Sequence, residues 1–254
     1  MNRRNVFLSL LITVVTLCGC GARYAVTGIE RSRVLIDKRY DAANDAELQA
    51  FIAPYKQRVD SLVAPVVGRA GCNMSAGRPE SSLSNLMTDI LVWAGQRCGE
   101  QPQFAVYNIG GMRAAIGEGD VTRGDIINVA PFDNKVCFIT LTGEQVQRLF
   151  EQIAKRGGEG VSSSVRLVID KNRQLKRATI DGKPIDPKAQ YRVATNDYVV
   201  QGNDGMPAFK EGTQLVTPQT EESNVRYVMM DYFREQMKAG KPVCGKREGR
   251  IIIE

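Results

Sequence analysis

The sequence predicts an α+β fold, a layered α/β sandwich built on a mixed and largely antiparallel sheet with about four helices. Three observations predict it. Four segments repeat apolar residues at the three- and four-residue steps of a helix. Short β-rich runs lie between them, bounded by Gly, Pro, Asn and Asp. No shift in composition, internal repeat or low-complexity stretch divides the chain.

Taken in order, the first helix runs from Ala46 through Leu48, Phe51, Ile52, Tyr55, Val59, Leu62 and Val63, with Asn44 or Asp45 to cap it. A second covers about Ser82 to Arg97 through Leu83, Leu86, Met87, Ile90, Leu91 and Ala94. Thr142-Gly143-Glu144-Gln145 is a capping-box pattern ahead of Val146, Leu149, Phe150 and Ile153, and Glu221 to Met237 gives the fourth helix. The predicted strands are Phe104 to Tyr107, Val136 to Leu141, Val165 to Asp170, Ala178 to Ile180, Tyr191 to Thr195, Gln214 to Val216 and Ile251 to Ile253. Lys171-Asn172 and Asp181-Gly182 read as hairpin turns, which is why the sheet is expected to be mostly antiparallel.

The N-terminus has the order of an export signal: the positive start Asn2-Arg3-Arg4-Asn5, the apolar run Val6 to Leu17, then small residues. That run is about a dozen residues where a bilayer-spanning helix takes roughly 20. Leu17-Cys18-Gly19-Cys20 resembles the bacterial lipobox, so Cys20 is expected to be lipidated; an ordinary secretory signal with an incidental cysteine is the alternative. The expected organisation is a signal over residues 1–19, a tether over 20–40 and one folded domain over 41–254, anchored by lipid to a bacterial membrane and facing the periplasm. About 234 residues remain after cleavage, enough to bury a substantial core. Of the other cysteines, Cys72, Cys98, Cys137 and Cys244 allow one or two bridges in an oxidising compartment, and their pairing is not fixed by the sequence.

The formal charge of +6 falls to about +4 once Arg3 and Arg4 leave with the signal. Lys and Arg are scattered, with no basic run interleaved with aromatics, so small anions are the expected partners and a nucleic-acid polymer is not. The chain has no histidine. That excludes a Ser-His-Asp triad, a Cys-His pair and every His-containing zinc site, and no CxxC pair points to a zinc ribbon or a redox site.

Two glycine-containing loops hold polar side chains among small residues. In Asn108-Ile109-Gly110-Gly111-Met112-Arg113, paired glycines allow close backbone approach and positive φ; Asn108 can bond amide-like edges and Arg113 can grip an anion. The bland alternative is a tight turn carrying a surface arginine. The second loop runs from Asn196 through Asp197, Tyr198, Asn203 and Asp204 to Gly205. A third element, Pro131-Phe132-Asp133-Asn134, precedes a strand; a Phe beside a Pro is usually core, but Phe132 and Tyr198 together would sandwich a flat ring, with Asp204 accepting from a ribose diol.

The order and spacing of these elements resemble the C-terminal domain of the 5'-nucleotidase family, over roughly residues 60 to 254. The resemblance is supported by Asn85-Leu86, by Gly182-Lys183-Pro184-Ile185-Asp186 and by Tyr191-Arg192-Val193-Ala194-Thr195. It implies that Phe132 and Tyr198 stack on a base, that Asp204 holds the ribose, and that Asn108 and Arg113 contact base or phosphate. Asn134 and Arg78 are further candidates, Arg78 with altered local spacing. Tyr198 stands where Phe is commoner in the family, and Asn203 where Gly is usual. The family's catalytic half binds two metals through Asp, His and Asn, and a histidine-free chain is not expected to supply it. The resemblance therefore implies no catalytic residue, metal or cofactor in this chain. It implies instead a nucleotide or nucleoside ligand and a separate metallophosphatase chain carrying two divalent metals; capture of nucleosides without such a partner, and an inactive scaffold, are the alternatives.

Overall fold

A computed structural model describes residues 24–40 and 45–254. The signal, Cys20 and Asn44 lie outside the described residues. Among the described residues no helix is long and apolar enough to cross a membrane. The chain divides into two units, one ending at Phe51 and one beginning at Ile52. In the first, residues 24–36 have no regular structure and a 3-10 turn follows at Lys38–Tyr40.

Helix α1 (Ala46–Val63) begins as expected, with the Asp45 carboxylate accepting from the Leu48 amide at 3.0 Å. Its apolar face is not buried: Leu48, Ile52, Val59 and Leu62 are each at least two-fifths exposed.

The second unit is layered about a five-stranded sheet in the order β10-β4-β9-β2-β5. These are β10 (Thr213–Val216), β4 (Val136–Thr142), β9 (Gln190–Asn196), β2 (Phe104–Tyr107) and β5 (Gly160–Val161). Only the β2/β9 pair is parallel. A four-stranded sheet is ordered β11 (Ile251–Ile253), β6 (Val165–Ile169), β7 (Leu175–Ile180) and β8 (Lys183–Pro184), again with one parallel pair, β11/β6. Both predicted hairpin turns form: Arg173, Asp181 and Gly182 take the left-handed conformations that tight hairpins need. The sandwich with a mixed, mainly antiparallel sheet is thus observed.

Alternation along the central strands divides the core. Phe104, Val106, Ile139, Leu141 and Val193 face α4 (Gly143–Lys155) with its Val146, Leu149, Phe150 and Ile153. On the other side Ala105, Tyr107, Phe138 and Ala194 meet α2 (Ser82–Arg97) through Leu83, Met87 and Leu91, and α6 (Val225–Lys238) through Met229 and Phe233. The capping box of α4 is present as read, Gln145 N to Thr142 Oγ1 at 3.3 Å and Thr142 N to Gln145 Oε1 at 2.7 Å.

Several features differ from expectation, the short strands β5 and β8 among them. The fourth helix begins at Val225, after a 3-10 turn at Glu221–Ser223, because the Asn224 side chain accepts from Arg226 N and starts the helix there. Two short helices were not foreseen, α3 (Arg123–Val129) and α5 (Asp197–Val200). Strands β1 (Val66–Ala70) and β3 (Gly119–Thr122) pair antiparallel as a separate ribbon. One disulfide joins Cys72 to Cys244, while Cys98 and Cys137 are free thiols, with Cys137 buried. The C-terminal segment is further held by Arg250, 2% exposed, which donates to both oxygens of Asp89 and to the Val161 carbonyl.

Candidate functional site

Strands β2, β4 and β9 deliver the candidate residues to one end of the central sheet. Asn108 is the first residue beyond β2 and precedes a single 3-10 turn, Ile109–Gly111. Asn196 ends β9, and its side-chain oxygen accepts from Val199 N at 2.7 Å. That capping bond makes a helical turn of what the sequence presented as loop, and Tyr198 projects from it. Phe132 and Asn134 lie in the segment entering β4. It is pinned from α6: Arg226 donates to the Pro131 carbonyl at 3.0 Å and to Asp133 at 2.6 Å, and Val225 N donates to the Asn134 carbonyl at 2.9 Å.

These elements enclose a cavity of about 360 Å³ lined by Asn108, Gly110, Gly111, Arg113, Phe132, Asn134, Tyr198 and Asp204. Its size is within the usual range for small-ligand sites. Phe132 is 46% exposed and Tyr198 40%, so neither ring is core and both open onto the cavity. Six of the seven candidate residues therefore line one space. Arg78 does not: its Nε donates to the Gly158 carbonyl at 2.8 Å and its guanidinium pairs with Glu159, and it lines a separate basic cavity with Arg156, Lys171 and Arg173.

The polar floor is a chain of side-chain hydrogen bonds. Asn108 Nδ2 donates to Asp204 Oδ2 at 2.7 Å, and Asn196 Nδ2 donates to Asn108 Oδ1 at 3.2 Å. Tyr107 beneath them is 1% exposed and hydrogen-bonded to Asn196 and Asn134. Burial pushes its phenol up to about 12. Asp204 has φ +52° between Gly202 and Gly205, also at positive φ, and Asn203 closes this turn by donating to the Tyr198 carbonyl at 2.8 Å. Asparagine in place of the family's usual glycine therefore ties the turn to the ring-bearing helix.

Neither of the paired glycines takes positive φ, and only Gly111 is required for space. A Cβ on Gly111 would lie 2.9 Å from the Tyr107 ring and 3.0 Å from Asn108 Oδ1, whereas one on Gly110 would meet only Asp204 Oδ2, at 3.9 Å. Sequence reasoning missed Glu159, Arg156 and Tyr107 as parts of the site and gave Asn196 no role beyond opening the second loop. Asn196 carried a legible signal as a cap-forming residue two positions before Tyr198; the others carried none.

A family model described as the 5'-nucleotidase C-terminal domain matches residues 64–211, more than half of the chain. The chain belongs to this family. Its similarity to a trifunctional nucleotide phosphoesterase, YfkN of Bacillus subtilis, is 32% identity over 68% of this chain and 12% of that protein. With the cell wall protein Lmo0130 of Listeria monocytogenes it shares 26% identity over 83% of this chain and 30% of that protein. The solved 5'-nucleotidase precursor of Thermus thermophilus superposes with a TM-score of 0.71 at 29% identity, covering 83% of this chain and 43% of the other. The chain thus spans less than half the length of each of these relatives.

The sequence has no histidine, and among the described residues no group of three or more Cys, Asp or Glu side chains is placed to hold a metal ion. Among the described residues, the donors present do not make up a two-metal phosphoesterase centre.

Proposed function

We propose that this domain binds nucleosides and nucleotides and is the ligand-binding half of a split 5'-nucleotidase-like phosphoesterase. A separate metallophosphatase chain supplies the two divalent metals, and the pair acts in nucleotide catabolism or salvage at the cell envelope, where Cys20 anchors this subunit by a lipid. One observation carries the reading: two half-exposed rings, Phe132 and Tyr198, open on the same cavity as an Asp204 carboxylate already oriented by Asn108. The rings take the faces of a base, Asp204 accepts from the ribose hydroxyls, Asn108 and Asn134 offer amide edges, and Arg113 faces the phosphate. Arg78 acts at one remove, through Glu159. The envelope location is supported by the export-type N-terminus and by the cell wall protein among the relatives.

Calorimetric titration with adenosine and its 5'-monophosphate tests the binding half; saturable binding by both is expected, and no heat from either would sink it. For the split, purified protein assayed with Mn²⁺ or Zn²⁺ should release no phosphate from the monophosphate. Hydrolysis should appear when a histidine-rich metallophosphatase chain recovered with it is added. Turnover by this chain alone would refute the division of labour, and binding without any such partner would reduce the function to capture.

A further inference from the structure

Glu159 follows two glycines ahead of β5, and its carboxylate is fully buried. Taking a carboxylate out of water is costly unless cations and donors surround it, and here they do. Arg156 Nε donates to Oε1 at 2.6 Å, the Arg78 guanidinium pairs with the same oxygen, and the Ile109 amide donates to Oε2 at 2.6 Å. Ile109 is the residue after Asn108. Arg156, in turn, places Nη2 3.5 Å from Asp204 Oδ1, the oxygen that Asn108 does not engage. Glu159 therefore does not line the cavity, yet it is joined to two of its walls, the Asn108 turn directly and Asp204 through Arg156.

Asp204 needs such support. It stands in a left-handed turn, and its Oδ2 is held by a single donor. A carboxylate free to rotate would have to be ordered by the ligand at each binding event, which lowers affinity. Arg156 removes that freedom at Oδ1. Because Glu159 holds Arg156 by its Nε, the guanidinium stays at 3.5 Å instead of closing onto Asp204, so the oxygen keeps lone-pair capacity for a hydroxyl.

We infer that Glu159 and Arg156 are positioning residues for sugar recognition: Glu159 clamps Arg156, and Arg156 sets the Asp204 carboxylate in the orientation that meets the ribose diol. The inference rests on the nucleoside reading above and names the part of the ligand these residues serve. It makes ligands with both sugar hydroxyls sensitive to residues that contact neither base nor sugar.

Calorimetry with adenosine and with 2',3'-dideoxyadenosine on the intact chain provides the test. In Arg156→Gln and Glu159→Gln, adenosine affinity is expected to fall about tenfold, the scale of one charge-assisted hydrogen bond. Affinity for the dideoxy analogue, which has no diol for Asp204, should stay within about twofold on the same scale. Arg156→Lys, which keeps the charge but not the fork, should recover part of the loss. Equal losses for the two ligands would mean a general structural role and overturn the inference, as would no loss for either. Should Glu159→Gln not fold, Arg156→Gln decides alone, because it leaves Glu159 paired with Arg78. Wild-type protein that binds neither nucleoside would instead remove the functional reading itself, and this inference with it.

Discussion

Truncating Phe132 to alanine separates a ligand-gripping ring from a packing ring, and the structure fixes the size of both effects. A fully buried Phe→Ala change costs 3–5 kcal/mol. Phe132 is 46% exposed, so about half of that transfer and cavity cost is absent and a loss of about 1.5–2.5 kcal/mol is expected. In a chain of this length that corresponds to a melting shift of several degrees. Binding should suffer on a comparable scale. Base–aromatic stacking is worth about 1–3 kcal/mol per ring by alanine substitution, or roughly 5- to 150-fold in affinity for adenosine.

The assay is isothermal calorimetry on Phe132→Ala, Phe132→Tyr, Tyr198→Ala and the double alanine variant, each first shown by circular dichroism to be folded. Phe132→Tyr keeps the stacking face and should bind within about twofold of wild type. The double variant should lose less than the sum of the singles, because a base released from one ring no longer lies flat on the other. Folded Phe132→Ala protein that binds adenosine as tightly as wild type would refute the reasoning, since the proposed sandwich sets that ring against one face of the base.

Removing the Cys72–Cys244 bridge by double alanine substitution should destabilise the fold by about 5 kcal/mol on the chain-entropy scale for its 172-residue separation. A differential scan should show melting lower by on the order of 10–20 °C. Tyr107 predicts an alkaline limit. An unfolded phenol titrates near 10 and the folded one at about 12, so its contribution is fully present below pH 10 and is lost as pH rises through 12. Urea melts should show about 3 kcal/mol disappearing over that window, and Tyr107→Phe should flatten the loss. Gly111→Ala should cost about 1–3 kcal/mol by overpacking against Tyr107 and weaken adenosine by displacing Asn108, while Gly110→Ala should leave the melting temperature unchanged.

What was legible in the sequence was local. Helix α2 was legible from the apolar period alone and its Ser81 cap is seen only in the fold, whereas α4 announces itself because its Thr142–Gln145 box and the apolar period agree within a few positions. Helix α3 has the same signature, with Thr122 and Asp125 exchanging cap bonds at 2.7–3.2 Å, but seven residues hold too few periods to be distinguished from loop. The β1–β3 ribbon was hidden for another reason. Val66–Ala70 has a glycine at its centre, which weakens a strand pattern, and the absent side chain is required: a Cβ at Gly68 would lie 2.9 Å from Phe233 of α6.

The site divides along the same line. Asn108, Phe132, Tyr198 and Asp204 could be read because each sits in a short motif whose composition is odd for its place. Glu159 could not. In sequence it is an acidic residue after Gly157 and Gly158, indistinguishable from a solvated loop charge; Arg156 is three residues away, but its other two partners, Ile109 and Arg78, stand 50 and 81 positions away. Only the fold brings a carboxylate, two arginines and a loop amide together with all water excluded from the acid. Residues that touch a ligand leave a mark on nearby sequence because the ligand demands particular groups in a row. Residues that aim those groups answer to three-dimensional neighbours alone, so the support of a binding site is the part a sequence motif conceals. Here that support runs unbroken from Glu159 through Arg156, Asp204, Asn108 and Asn196 to the helix that carries Tyr198.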